Sequence, residues 1–167
     1  CICKYAFGET KISKFYIPAK VEIIREGWCY WTAKLFDVLI SPKNKHIKYL
    51  DEKHQIIVER SDPYKDNFDS IIFASRCINS VVIPKFIKEI KSFSFEYCID
   101  LKEIIIPTDS ELQIIGSSSF GNSKIDELYI PSKVEILDKS LCQDLPSFVK
   151  ILISPENRNF CYLDDEH

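Results

Sequence analysis

The sequence has no methionine and only four glycines in 167 residues. Without a methionine the start lies elsewhere, so the chain is expected to be a fragment of a longer protein. So little glycine leaves no phosphate-cradling loop, and neither GxGxxG nor GxxxxGK occurs. A net positive charge is also lacking. The formal net charge is −3, which removes the basic footprint of a nucleic-acid binder. No apolar run approaches the roughly 18 residues of a membrane-spanning helix, so no membrane insertion by this segment is expected. No N-x-S/T sequon is present. Seven cysteines are spread without a single CxxC pair, so no metal set is legible. They read as mostly small, buried apolar residues. Charges alternate in short phrases such as "VEIIRE" and read as solvated surface.

What is present is repetition. Residues 7–54 pair with residues 120–167 without a gap, at an offset of 113, and 21 of the 48 pairs are identical. The matches include Pro18/Pro131, Cys29/Cys142, the "LISP" phrases at Leu39 and Leu152, and His54/His167. A shorter period lies inside the long one. The isoleucines that end each strand-like phrase are Ile17, Ile40, Ile83, Ile106, Ile130 and Ile153, at steps of 23, 43, 23, 24 and 23. A unit of 23–24 residues falls in the range of leucine-rich repeats. The 43-residue step marks an irregular segment at about 43–70. Its stretch "SDPYKDN" is rich in turn formers, so the chain is expected to leave the regular surface there.

Each unit carries L-x-x-I-x-I, as in Leu101, Ile104 and Ile106. In a strand the last two point to one side, into the coil. Proline follows at once or after one serine, and it ends the strand because it cannot donate the next hydrogen bond. A second apolar pair follows four and seven residues later: Val21 and Ile24, Ile87 and Ile90, Val134 and Leu137. Cys29, Phe95 and Cys142 hold the position twelve past the isoleucine. Each coil thus supplies one cross-section of core with bare top and bottom, which only stacking covers. No segment sustains a helical period. Strands are expected on the concave side and short strands, turns or 3₁₀ pieces on the convex side.

At these residues the chain resembles a known group. "IPSKVEIL", "SFSFEYCIDLKEIIIP" and "SSSFGNSKIDELYIP" are similar to BspA-like leucine-rich repeats, and the interruption is similar to the spacer of trichomonad versions. The "AF" of that family's phrase is "SF", "SL" or "GW" here. The resemblance implies an α/β horseshoe-class, right-handed leucine-rich-repeat solenoid, mostly strand, running as one array through residues 1–167. It further implies a cell-surface or extracellular protein that binds host, matrix or cell-surface proteins, without catalysis or a cofactor.

The strand residues between the inward ones form two outward columns. Lys14, Asp37, Ser80, Glu103, Glu127 and Lys150 are all polar. Tyr16, Leu39, Val82, Ile105, Tyr129 and Leu152 are all apolar or aromatic. A solvated sheet face has no need of an unbroken apolar column, and contiguous exposed apolar surface marks interaction sites. The column is therefore the expected partner-binding surface. The competing explanation is β-propensity alone, or cover by another part of the parent. Of the three histidines His46, His54 and His167, the repeat equivalents His54 and His167 sit by acidic turns that could hold a metal but read as solvated. The loop Ser61–Asp69 carries no motif. No nucleophile and base converge. The reading is a non-catalytic recognition or adhesion module, with a structural spacer as the alternative. The ends lie mid-unit, so end-to-end self-association is expected.

Overall fold

The computed structural model describes residues 1–62, 64–141, 145 and 150–162. Six short strands recur along the chain: β1 (Lys14–Ile17), β2 (Asp37–Ile40), β6 (Ser80–Val82), β8 (Glu103–Ile105), β10 (Glu127–Ile130) and β12 (Lys150–Ile153). They make the first wall of a β-solenoid of about six turns. Parallel pairing joins β1 to β2, β6 to β8 and β10 to β12, each residue facing its repeat equivalent. β8 also lies beside β10, where the Lys124 amide donates to the Leu101 carbonyl at 3.1 Å.

The L-x-x-I-x-I phrase accounts for the alternation. In β10, Glu127 is exposed, Leu128 buried, Tyr129 half-buried and Ile130 buried. After β1, β6, β8 and β10 a proline carbonyl starts a turn, and after β2 and β12 the carbonyls of Ser41 and Ser154 do so. The amides of Val21, Ile87 and Val134 donate to Pro18, Pro84 and Pro131 at 3.1, 3.0 and 3.3 Å. This turn delivers the second apolar pair to a second wall, which holds β7 (Glu89–Ile90), β9 (Ile114–Ile115) and β11 (Ile136–Leu137) in parallel. A third side is built of turns rather than helix. In each of four coils two residues four apart have left-handed backbone: Tyr5 and Glu9, Gly27 and Trp31, Phe93 and Tyr97, Ser118 and Asn122. Ladder-like bonds still link these turns between coils, among them Phe7 to Trp28 and Phe95 to Ser119, both at 2.8 Å. Among the described residues no helix occurs, so the α half of the α/β expectation finds no counterpart. Paired left-handed residues break any helical run within a turn.

The irregular segment sends its strands inward, while the described residues of its "SDPYKDN" stretch stay largely exposed, Tyr64 at 96%. It folds as an antiparallel meander of β3 (Ile47–Tyr49), β4 (Ile56–Glu59) and β5 (Ser70–Ala74), and β5 then pairs in parallel with β7. Every residue of β4 and β5 is buried, because both faces are covered. Ile56, Val58, Ile71 and Ala74 join the core under β6, β8 and β10. Ile57, Ile72 and Phe73 join the core under β1 and β2, with Trp28 and Leu35. A bulge at Ile57/Val58, with Ile72 the extra residue, lets Ile72 and Phe73 face the same way. The meander is thus a septum between two cores. The row of strand-ending isoleucines runs as two plus four, because β2 has no partner in β6.

Two side chains finish the first block. Asn44 stands four past Ile40, where the coils of Ile17, Ile83 and Ile130 carry Val21, Ile87 and Val134. Its Nδ2 donates to the carbonyls of Pro18 and Val21, both at 2.9 Å. Its Oδ1 accepts from the amides of His46 and Ile47 at 2.8 and 2.9 Å. The Tyr49 hydroxyl donates to the Val38 carbonyl at 2.9 Å and accepts from the Ile40 amide at 3.0 Å, in place of a neighbouring strand. The long repeat copies this lock. Asn157 bonds Pro131, Val134, Asn159 and Phe160. Tyr162 bonds Ile151 and Ile153 at 2.8 and 2.9 Å.

The cysteines depart from expectation. Cys29 and Cys98 are buried, whereas Cys1, Cys3, Cys77 and Cys161 are exposed, and all six are free thiols. Cys142, His167, Pro63 and Phe148 lie outside the described residues.

Candidate functional site

The outward column is exposed over most of its length. Tyr16, Leu39, Val82 and Ile105 keep between 46% and 60% of their surface, while Tyr129 and Leu152 are half-buried. Register sets Tyr16 beside Leu39, Val82 beside Ile105 and Tyr129 beside Leu152. The structure therefore brings these residues together as a pair and a group of four, divided by the septum. The polar column beside them holds cross-strand ion pairs, Lys14–Asp37 at 3.5 Å and Lys150–Glu127 at 3.6 Å. Both are exposed and contribute little to stability. A shallow cleft of about 630 Å³ at the group of four is lined by Lys102, Glu103, Ile105, Glu127, Tyr129 and Lys150.

A second cleft, of about 510 Å³, lies on the turn side where the two blocks meet. Tyr5, Tyr30 and Trp31 come from the first block, and Phe93, Glu96 and Asn122 from the second. Gly27, at φ 62°, lets this seam close, since a Cβ there would stand 2.5 Å from the Tyr5 ring. The Tyr30 and Phe93 centroids are 5.0 Å apart at 72°, and those of Tyr5 and Tyr30 5.6 Å apart at 61°. Buried Glu96 accepts the Trp31 amide at 2.9 Å through Oε2, which ties the blocks together. Sequence reasoning missed this cleft because it looked for a site on the strands. The available signal was the aromatic run "CYWT" in a turn segment with no strand pattern.

Polar groups inside the molecule are occupied with packing. Arg76 is fully buried at the septum, its guanidinium 5.0 Å from the centre of the Phe73 ring. It donates to the carbonyl of Ser94 at 3.2 Å and to Cys29 Sγ at 3.4 Å. Burial pushes the Cys98 thiol up to about 11 and also raises Cys29, although nearby Arg76 opposes both. Neither is a thiolate near neutral pH, so neither is an activated nucleophile. Burial likewise raises Glu59, against the opposing charge of its partner Lys91. Burial also acts to raise Asp69, but bonds from Ser61 and Lys88 outweigh it and hold the carboxyl low. His54 stacks on Tyr49 at 4.0 Å, which gives it a packing role. Among the described residues no cluster of His, Cys, Asp or Glu could hold a metal ion.

Six copies of the BspA type leucine rich repeat region match residues 1–50 and 66–161. The chain belongs to the BspA-type leucine-rich-repeat family. Three solved structures share the fold of this BspA-type chain. A leucine-rich repeat protein from Eubacterium ventriosum ATCC 27560 is 21% identical, with a TM-score of 0.71 over 84% of this chain and 36% of that one. The pneumococcal vaccine antigen PcpA is 18% identical, with a TM-score of 0.66 over 87% and 40%. A leucine rich cell surface protein from Faecalibacterium prausnitzii A2-165 is 19% identical, with a TM-score of 0.63 over 90% and 50%. The BspA-type chain therefore spans half or less of each of these structures. No curated protein matches it. No helix among the described residues is long and apolar enough to cross a membrane.

Proposed function

We propose that this BspA-type array is a non-catalytic protein-recognition or adhesion module of a cell-surface protein. It is one right-handed, horseshoe-type array interrupted by its septum, and it binds a host, matrix or cell-surface protein through the outward strand face. The observation that carries this is the column Tyr16, Leu39, Val82, Ile105, Tyr129 and Leu152, apolar or aromatic throughout and 46% to 60% exposed at its first four positions. Solvated positions on a sheet impose no such uniformity, and their flanking column is polar. Relatives named as a cell surface protein and a vaccine antigen support the location. One observation favours the spacer reading: Tyr129 and Leu152 are half-buried and the column is divided. The test is a pulldown of host-cell surface and matrix proteins with the wild-type chain and with the double variant Ile105→Lys, Tyr129→Lys. Loss of capture by a variant that keeps its circular dichroism and melting point supports recognition. Full capture by the folded variant assigns the column to β-propensity and the chain to display.

A further inference from the structure

We infer that the seam cleft on the turn side is a second binding site, and that it takes an arginine side chain of a partner protein. This is a different face from the outward column. The lining carries the rings of Tyr5, Tyr30, Trp31 and Phe93 together with the carboxylates of Glu9 and Glu96, and among the described residues it contains no Lys or Arg. Glu96 is held by the Trp31 amide. Exposed Glu9 has neither an ion pair nor a hydrogen bond from its side chain among the described residues. The described lining is thus aromatic and acidic. Tyr5 and Trp31 keep 48% and 46% of their surface exposed and join Tyr30 and Phe93 in one contiguous aromatic patch. A cation already rests on this cluster from outside, with Lys4 Nζ 5.1 Å from the Tyr5 centroid, so the ring face accepts positive charge.

Guanidinium suits the cleft better than ammonium. It is planar, stacks on Trp or Tyr, and still presents paired donors to a carboxylate. A volume of about 510 Å³ accommodates one long side chain with its water, not a folded element. Left-handed backbone at Tyr5, Glu9, Trp31, Phe93 and Asn122 fixes these groups on tight turns, so little ordering is left for the binding step.

The test titrates the full chain with N-acetyl-arginine-N-methylamide and follows the indole N–H resonances of both tryptophans. Buried Trp28 serves as the internal reference. The inference expects a saturable shift at Trp31 and little at Trp28. The uncharged isostere N-acetyl-citrulline-N-methylamide binds at least about tenfold more weakly, one ion-pair contact being worth roughly 1.4 kcal/mol or more. Glu9→Gln weakens the arginine probe by a similar factor, while Glu22→Gln, exposed and outside the cleft, leaves it unchanged. The inference is overturned by equal binding of citrulline, by an unaffected Glu9→Gln, or by no Trp31 shift. Tighter binding of tetramethylammonium or of methyl glucoside would also overturn it, in favour of a quaternary amine or a sugar. Ile105→Lys should leave the Trp31 shift intact, which separates this result from failure of the column.

Discussion

Asn44→Ala should be among the most damaging single changes at a position that looks like surface. One amide side chain closes four bonds, to Pro18, Val21, His46 and Ile47, all between 2.8 and 2.9 Å. At about 0.5–1.5 kcal/mol net for each bond, alanine should cost roughly 2–6 kcal/mol. For a chain of this size that is a fall in Tm of about 10 °C. Asn44→Asp separates the two halves of the bond set. It keeps the acceptor for His46 and Ile47 but sets a carboxylate oxygen against the carbonyls of Pro18 and Val21. Those carbonyls favour the protonated acid, so the folded pKa of the new carboxyl lies above its unfolded value. Its stability contribution is therefore present below the unfolded pKa and lost as pH rises through the folded one. Urea denaturation at pH 4 and pH 7 reads this directly. Wild type and Asn44→Ala should share one pH dependence, and Asn44→Asp should fall away from them towards neutral pH. An alanine variant within about 0.5 kcal/mol of wild type would refute the reasoning, because water would then be serving those four groups equally well.

Tyr49→Phe removes only the hydroxyl that stands in for a strand beside β2, so it should cost roughly 1–2 kcal/mol and speed hydrogen exchange at Ile40 in particular. Ile57→Asp and Val58→Asp, although adjacent, should each cost more than about 4 kcal/mol but loosen different blocks first in hydrogen exchange: β1–β2 for the former, β6–β10 for the latter. Burial raises the folded pKa of Glu59, so stability from this group is present below the unfolded pKa and lost as pH rises through the folded one. Glu59→Gln should lose less stability than wild type between about pH 4.5 and pH 7 in urea titrations. Iodoacetamide followed by mass spectrometry should label Cys1, Cys3, Cys77 and Cys161 in the folded protein, and Cys29 and Cys98 only after denaturation.

The regular coils were legible because their physics is local. L-x-x-I-x-I followed by proline fixes a strand, its inward pair and its stop, and β6, β8 and β10 follow that phrase residue by residue. The outward column was legible for the same reason, since alternation alone places Tyr16 and Val82 on the outside. The septum was not. "QIIVE" and "SIIFA" are short apolar runs without alternation, and only the stacking of two blocks around them reveals that both faces are covered. "SDPYKDN" signalled turns correctly, but turn chemistry says nothing about whether the strands on either side go into the core or away from it. The cysteines misled because a small apolar residue is inward only if its coil position is, and Cys77 falls on an outer turn. The seam cleft gathers equivalent turn positions, Gly8 and Glu9 with Gly121 and Asn122 at the 113-residue offset, but an offset in sequence does not say that the two turns meet in space.

The septum also sets how such a protein can change length. A coil within a block meets neighbours shaped like itself, so one copy can be gained or lost and the remaining faces still match. Ile57 and Val58 answer to different neighbours, and their strand fits only when both are in place. Growth by duplication therefore has a natural currency of whole blocks, cut outside the Asn44–Tyr49 lock and never through it, and the 113-residue offset is the length of that currency.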